Sequence, residues 1–251
     1  EREARSLRLI PRILPGPERF ALGMLGSFVF LYAGRRVFMP PLAWDALTFH
    51  LWRAGRWVQD GADIRPPAPD SWGYYDAYPT GGDSFWAWAM LPFQTDVAVG
   101  LLSVTTLLAI APSAYRLARA VGTPRGVATI LACAATLLPV HRHAATAAYV
   151  DNMVVSAWLF AVAELIGAAR KDAGLHRSGN AAIALLAAAI AANAKPTGLP
   201  LFVVAGAMFT YCTVRERKLA PASIAILLSL VPIFGGYIRN AILHHNPLFP
   251  F

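Results

Sequence analysis

The sequence predicts an all-α polytopic membrane protein of about seven transmembrane helices, with a large first non-cytoplasmic loop that bears interfacial helices. Three observations lead there. Of the 251 residues, 57% are hydrophobic and only 14% are charged, too little charge to cover a soluble surface of this size. Several apolar runs approach the roughly 20 residues that span a bilayer. Those runs are continuous and Ala/Leu-rich rather than alternating, which excludes a membrane β-barrel.

In chain order, residues 1–19 form a basic juxtamembrane segment with an apolar Leu7–Ile10 patch, suited to the cytoplasmic membrane surface. A first span covers 20–37. It leads into Arg35 and Arg36 rather than a small-residue cleavage site, so it does not read as a signal peptide. Residues 38–96 form the extracytoplasmic loop. Six further spans fall within 97–238, near 97–115, 126–141, 150–169, 180–194, 198–214 and 220–238. Residues 239–251 leave the membrane on the outer side. The chain begins without Met, so the numbered sequence is expected to be part of a longer product.

Charge orients these spans. The formal net charge of +8 would fit a nucleic-acid partner in a soluble protein, but here topology accounts for it and no nucleic acid is expected. Fourteen of the 22 bases lie in the N-terminal segment and in alternate loops, all on one side of seven spans. The positive-inside rule makes that side cytoplasmic, N-terminus included. The other eight break the rule. Arg35, Arg36, Arg142, Lys195 and Arg239 sit at outer span ends, where they could converge on an anionic group; snorkelling to lipid phosphates is the alternative.

The loop 38–96 holds seven of the fourteen acids and six of the seven tryptophans. Leu47, Leu51, Ala54 and Val58 recur at helical spacing, so 45–59 reads as an amphipathic interfacial helix. Asp45 opens it and Gly61 closes it. A turn at Tyr78–Asp83 starts a second interfacial helix, with Phe85, Trp86 and Trp88 directed into lipid. The aromatics have two readings, a membrane-interface belt or a platform for stacking on sugar faces. Asp45 is either a helix N-cap or a catalytic carboxylate, and His50 either a satisfied interfacial histidine or a site residue. Cys133 and Cys212 fall in apolar runs and read as small core residues. No ligand spacing calls for a metal, although the loop's aspartates would suit a divalent cation.

The residues Pro41-Leu42-Ala43-Trp44-Asp45-Ala46-Leu47-Thr48-Phe49-His50-Leu51 resemble the first-loop motif of GT-C superfamily membrane glycosyltransferases, which use polyprenyl-phosphate-linked sugars. These include the protein-mannosyltransferase-like and aminoarabinose-transferase-like families. That loop carries an Asp, then an aromatic-His pair, then Tyr-Pro; the counterparts are Asp45, Phe49-His50 and Tyr78-Pro79. Ala148-Tyr149-Val150-Asp151 looks like the acid-bearing outer end of a helix. Arg239-Asn240 with Asn246-Pro247-Leu248-Phe249-Pro250-Phe251 looks like the segment after the seventh span, with His245 where Gly is usual. Two departures stand out. The best-known relatives have an adjacent acidic pair in the loop, where this chain has Asp45 and Ala46, and they continue with more spans where this chain ends.

The resemblance implies the seven-span conserved module of such an enzyme in a bacterial inner (plasma) membrane. Its reaction would move a sugar, with inversion, from a polyprenyl-phosphate donor to an acceptor on the outer face. Asp45 would be the base, with His50 and Asp151 shaping the acceptor or sugar site. Lys195, Arg239 and Arg142, with Asp151 and Tyr78, would bind donor phosphate and substrate. The competing expectation is a non-catalytic structural subunit with partner subunits in a larger membrane complex. A transporter would place ionisable groups at mid-membrane; Glu164 is the main candidate, and it lies toward the cytoplasmic end of its span.

Overall fold

The computed structural model describes residues 16–39, 41, 43–61, 77–170, 177–216, 224, 228 and 235–248. Every regular element among them is helical. The N-terminal segment 1–15, the aspartates 63, 70 and 76, Trp72 with Tyr74 and Tyr75, and most of the expected span 220–238 lie outside these residues.

Helix α1 is Gly16–Phe38. A π-turn, Ala46–His50, runs into α2, Leu51–Asp60, and α3 is Gly81–Met90. Then come α4 (Val97–Ala120), α5 (Arg125–Thr136), α6 (Pro139–Thr146), α7 (Asp151–Ala169) and α8 (Arg177–Ala194). A 3-10 turn at Pro196–Gly198 leads into α9, Leu199–Glu216, and residues 235–244 form α10.

Three of these are long and apolar enough to cross a membrane: α4, α7, and α9 with its preceding turn. The expected span at 126–141 is instead a pair, α5 and α6, bent by 49° and counting as a fourth crossing if taken together. The cause is Pro139, which cannot donate the bond that would continue α5 but suits the first turn of α6. Helices α1 and α8 also form where spans were expected, but each ends in polar residues: Arg35 and Arg36 in α1, Arg177, Ser178 and Asn180 in α8.

Alanine sets the centre of the bundle. Helix α8 buries Ala181, Ala184, Ala188, Ala191 and Ala192 completely. Small side chains let α7 and α9 approach its backbone closely, the usual route to tight helix association in lipid. Ala161, Leu201, Ala205 and Phe209 complete this core. A second core lies under the loop helices, where Ala46, Ala54, Trp57, Trp86 and Val99 pack with Ala148.

That second core corrects two expectations. Trp57 and Trp86 are core residues, 6% and 0% exposed, not lipid-facing belt residues; Trp44 and Trp88 are exposed as a belt requires. The expected helix 45–59 is not one helix. The Leu51 N–H bonds the Ala46 carbonyl five residues back, and Asp45 makes no side-chain cap bond. The wider turn absorbs one extra residue, so that the neighbours Phe49 and His50 both face inward with Ala46. Gly61 closes α2 as expected, at φ 66° in the left-handed conformation that glycine adopts without strain.

Candidate functional site

Two glycines seat the loop on the bundle. Gly81 and Gly82 open α3, and a Cβ on either would collide, with Asn193 of α8 at the first and Val150 before α7 at the second. The first turn of α3 therefore lies between the start of α7 and the end of α8. Asn240 of α10 donates to the Ala77 carbonyl at 2.7 Å, and Tyr237 donates to the Ala192 carbonyl at 2.9 Å. Helix α10 thus closes the same region from the other side.

Under α2 this arrangement buries Asp83, which is 1% exposed. One of its carboxylate oxygens meets His50 Nδ1 at 2.5 Å, and the other accepts from Arg53 Nη1 at 2.6 Å. Arg53 is itself 2% exposed and His50 9%. Burying one ion is prohibitive, but a carboxylate held by a guanidinium and an imidazole has its charge and lone pairs matched. His50 is therefore held by Asp83. Asp83 and Arg53 are the residues that sequence reasoning missed.

A second, more open group lies beside it. Lys195 Nζ bonds Asp151 Oδ1 at 2.7 Å, with each side chain roughly two-fifths exposed. Lys195 is placed by the break between α8 and the 3-10 turn, where Pro196 ends the helix, and Asp151 by the first turn of α7. Tyr149, in the turn before α7, feels the charges of both Asp45 and Asp151. Burial first, then the charges of Asp45 and Asp151, hold its phenol above the usual tyrosine range, so it keeps its proton and can donate. Asp45, Tyr149, Asp151 and Lys195 thus share one rim. Tyr78 stands at the edge of Phe49, ring centres 5.9 Å apart. Arg239 lies in α10 between Tyr237 and Asn240, the two residues that fasten that helix here.

Arg142 does not join this rim. Its carbonyl accepts from the Tyr32 hydroxyl at 2.7 Å, and its guanidinium lies 5.7 Å from the Phe28 ring centre, both on α1. The bend at Pro139 turns α6 toward α1 and takes Arg142 with it.

A cavity of about 900 Å³ runs from the rim into the bundle. Gly81, Asn193 and Ala194 line its rim end, and Ala109, Phe160 and Ile190 its apolar walls, with Ser113 among the few polar groups. Among the described residues, no three His, Cys, Asp or Glu side chains group as metal ligands. Comparison of the chain with protein-family models, curated proteins and solved structures returns no match.

Proposed function

We propose that the chain is the conserved module of a membrane glycosyltransferase that moves a sugar from a polyprenyl-phosphate donor to an acceptor at the rim. The observation that carries this reading is the continuity of the apolar cavity with Asn193 and Ala194, next to the Lys195–Asp151 pair. A long apolar tail needs a greasy groove, its phosphate needs a cation at the groove's mouth, and transfer needs a carboxylate nearby. Asp45 takes the proton of the acceptor hydroxyl. The acceptor oxygen bonds the anomeric carbon, the bond from that carbon to the phosphate oxygen breaks, and the electron pair leaves with the polyprenyl phosphate. Lys195 and Arg239 offset the charge on that phosphate, and the Tyr149 O–H donates to a sugar or acceptor oxygen. The proposal includes seven spans, a cytoplasmic N-terminus and a bacterial inner-membrane location.

Asp45→Asn tests the base. In proteoliposomes supplied with a polyprenyl-phosphate sugar, transfer should fall by about a hundredfold or more, the usual contribution of a positioned base, while thermal stability stays at the wild-type value. Transfer at the wild-type rate would sink the assignment.

One observation favours the second reading, a non-catalytic subunit of a larger membrane complex. Ala46, the position at which relatives of the resembled families carry a second acid, is completely buried beneath α2 and α3. A carboxylate has no place there, so the fold of this loop does not admit the adjacent acidic pair of those families. Under that reading the wild-type protein turns over no polyprenyl-phosphate sugar and co-purifies with a stoichiometric membrane partner.

A further inference from the structure

At the end of the bundle remote from α2 and α3, two cavities share a wall. The larger, about 940 Å³, runs along α9 past Val203, Val204, Ala207 and Met208. The smaller, about 170 Å³, is bounded by Cys212 and Glu216 on α9. Arg177, Tyr211 and Arg215 line both. An apolar trough therefore opens into a compact polar pocket at the helix ends.

The pocket is cationic in character. Arg177 opens α8 and Arg215 lies in the last turn of α9. Arg215 Nη1 donates to the Tyr211 hydroxyl at 2.7 Å, and its guanidinium stays over the Tyr211 ring. Among the described lining residues Glu216 is the one acid, and Ser178 engages both of its oxygens, through Oγ at 2.6 Å and N–H at 3.3 Å. Its carboxylate ties α9 to α8 and keeps its charge, and two guanidinium groups against one carboxylate leave the described lining net positive. If α9, which is long and apolar enough to cross a membrane, does so, the trough lies at the depth of lipid tails and the arginines at its end lie near the headgroups.

We propose that these two cavities form a binding site for an anionic phospholipid, with an acyl chain in the trough along α9 and the phosphate between Arg177 and Arg215. Any exposed apolar span is wetted by lipid; the shared wall between an apolar trough and a small cationic pocket fits one amphiphile with a negative head. The site is separate from the rim, so it stands or falls independently of the transferase reading.

The test uses the purified full chain in detergent, titrated with phosphatidylglycerol or phosphatidylcholine and read by native mass spectrometry. The wild type should retain phosphatidylglycerol with a preference of about tenfold or more, as two headgroup contacts would give. The R177Q/R215Q double variant should bind the two lipids alike, and R177K/R215K should recover most of the preference. Ala207→Trp, which fills the trough, should weaken both lipids. An equal affinity of the wild type for the two lipids would overturn the proposal, as would a preference that survives R177Q/R215Q. Inorganic phosphate alone competing fully with phosphatidylglycerol would also overturn it, because the site would then take a free anion rather than a lipid.

Discussion

Two ion groups stand side by side at the loop end, and they handle charge in opposite ways. His50, Asp83 and Arg53 are sealed beneath α2, whereas Asp151 and Lys195 meet in the open, each side chain about two-fifths exposed. A sealed group cannot exchange its partner for a substrate without exposing a buried charge. An exposed pair can, because water and a ligand phosphate compete for it on nearly equal terms. The difference separates the residues that hold the site from those free to act in it. The triad fixes α2 against α3; the pair, with Asp45 and Tyr149, offers exchangeable contacts.

The largest expected effect comes from breaking the triad. Asp83→Ala leaves the Arg53 guanidinium buried without its carboxylate, and should cost about 3–5 kcal/mol of stability, read as the change in unfolding free energy in detergent. The comparison sharpens with the triple variant Asp83→Leu, Arg53→Met and His50→Phe. Replacing a whole buried ionic group by apolar residues of similar volume is often close to neutral, so the triple variant should recover most of the loss. If it also keeps transfer activity, the triad is architecture alone; stability without activity would return His50 to the chemistry.

Next come the tryptophans two residues apart on α3. Trp86 is fully buried and Trp88 is 67% exposed. Trp86→Ala should cost about 3–5 kcal/mol through the cavity it leaves, and Trp88→Ala should stay within about 0.5 kcal/mol. The Trp86 indole N–H has no partner among the described residues, so Trp86→Phe removes an unsatisfied donor and should cost clearly less than Trp86→Ala. Equal losses at 86 and 88 would mean that α3 does not pack as described.

Periodicity and composition carried the helices of the bundle, because a run of apolar residues with few breaks has one low-energy state in lipid. They carried Gly61 as a helix stop and marked Lys195 as a base at a span end, costly to place without a reason; Asp151 entered through the resemblance, and the structure pairs the two at 2.7 Å. They did not carry the triad. Asp83 looked like one more aspartate in an acidic loop, and its partners lie 33 and 30 residues away. Burial depends on which faces meet, and that is decided by the two glycines that let α3 sit between Val150 and Asn193. The π-turn was equally hidden. The apolar spacing of 47, 51, 54 and 58 fits an ordinary helix, and the extra residue shows only once Phe49 and His50 are both seen to face the core.

The smallest stability effect should come from the open pair, where the functional effect should be large. Lys195→Gln removes an ion pair in which both partners reach solvent, so the fold should lose no more than about 1 kcal/mol. The same change removes a cation that follows directly on Asn193 and Ala194 at the mouth of the apolar cavity. If Lys195 holds the donor phosphate, the apparent KM for a polyprenyl-phosphate donor should rise by about tenfold, one charge-assisted contact being worth that much. Asp151→Asn keeps the lysine and its charge while loosening its partner, so it should raise KM less than Lys195→Gln does. A reversed order would make Asp151 the group that meets substrate and Lys195 the one that positions it. Stability loss at Lys195 comparable to that at Asp83 would erase the distinction between the two groups, because it would mean that the exposed pair also holds the loop on the bundle.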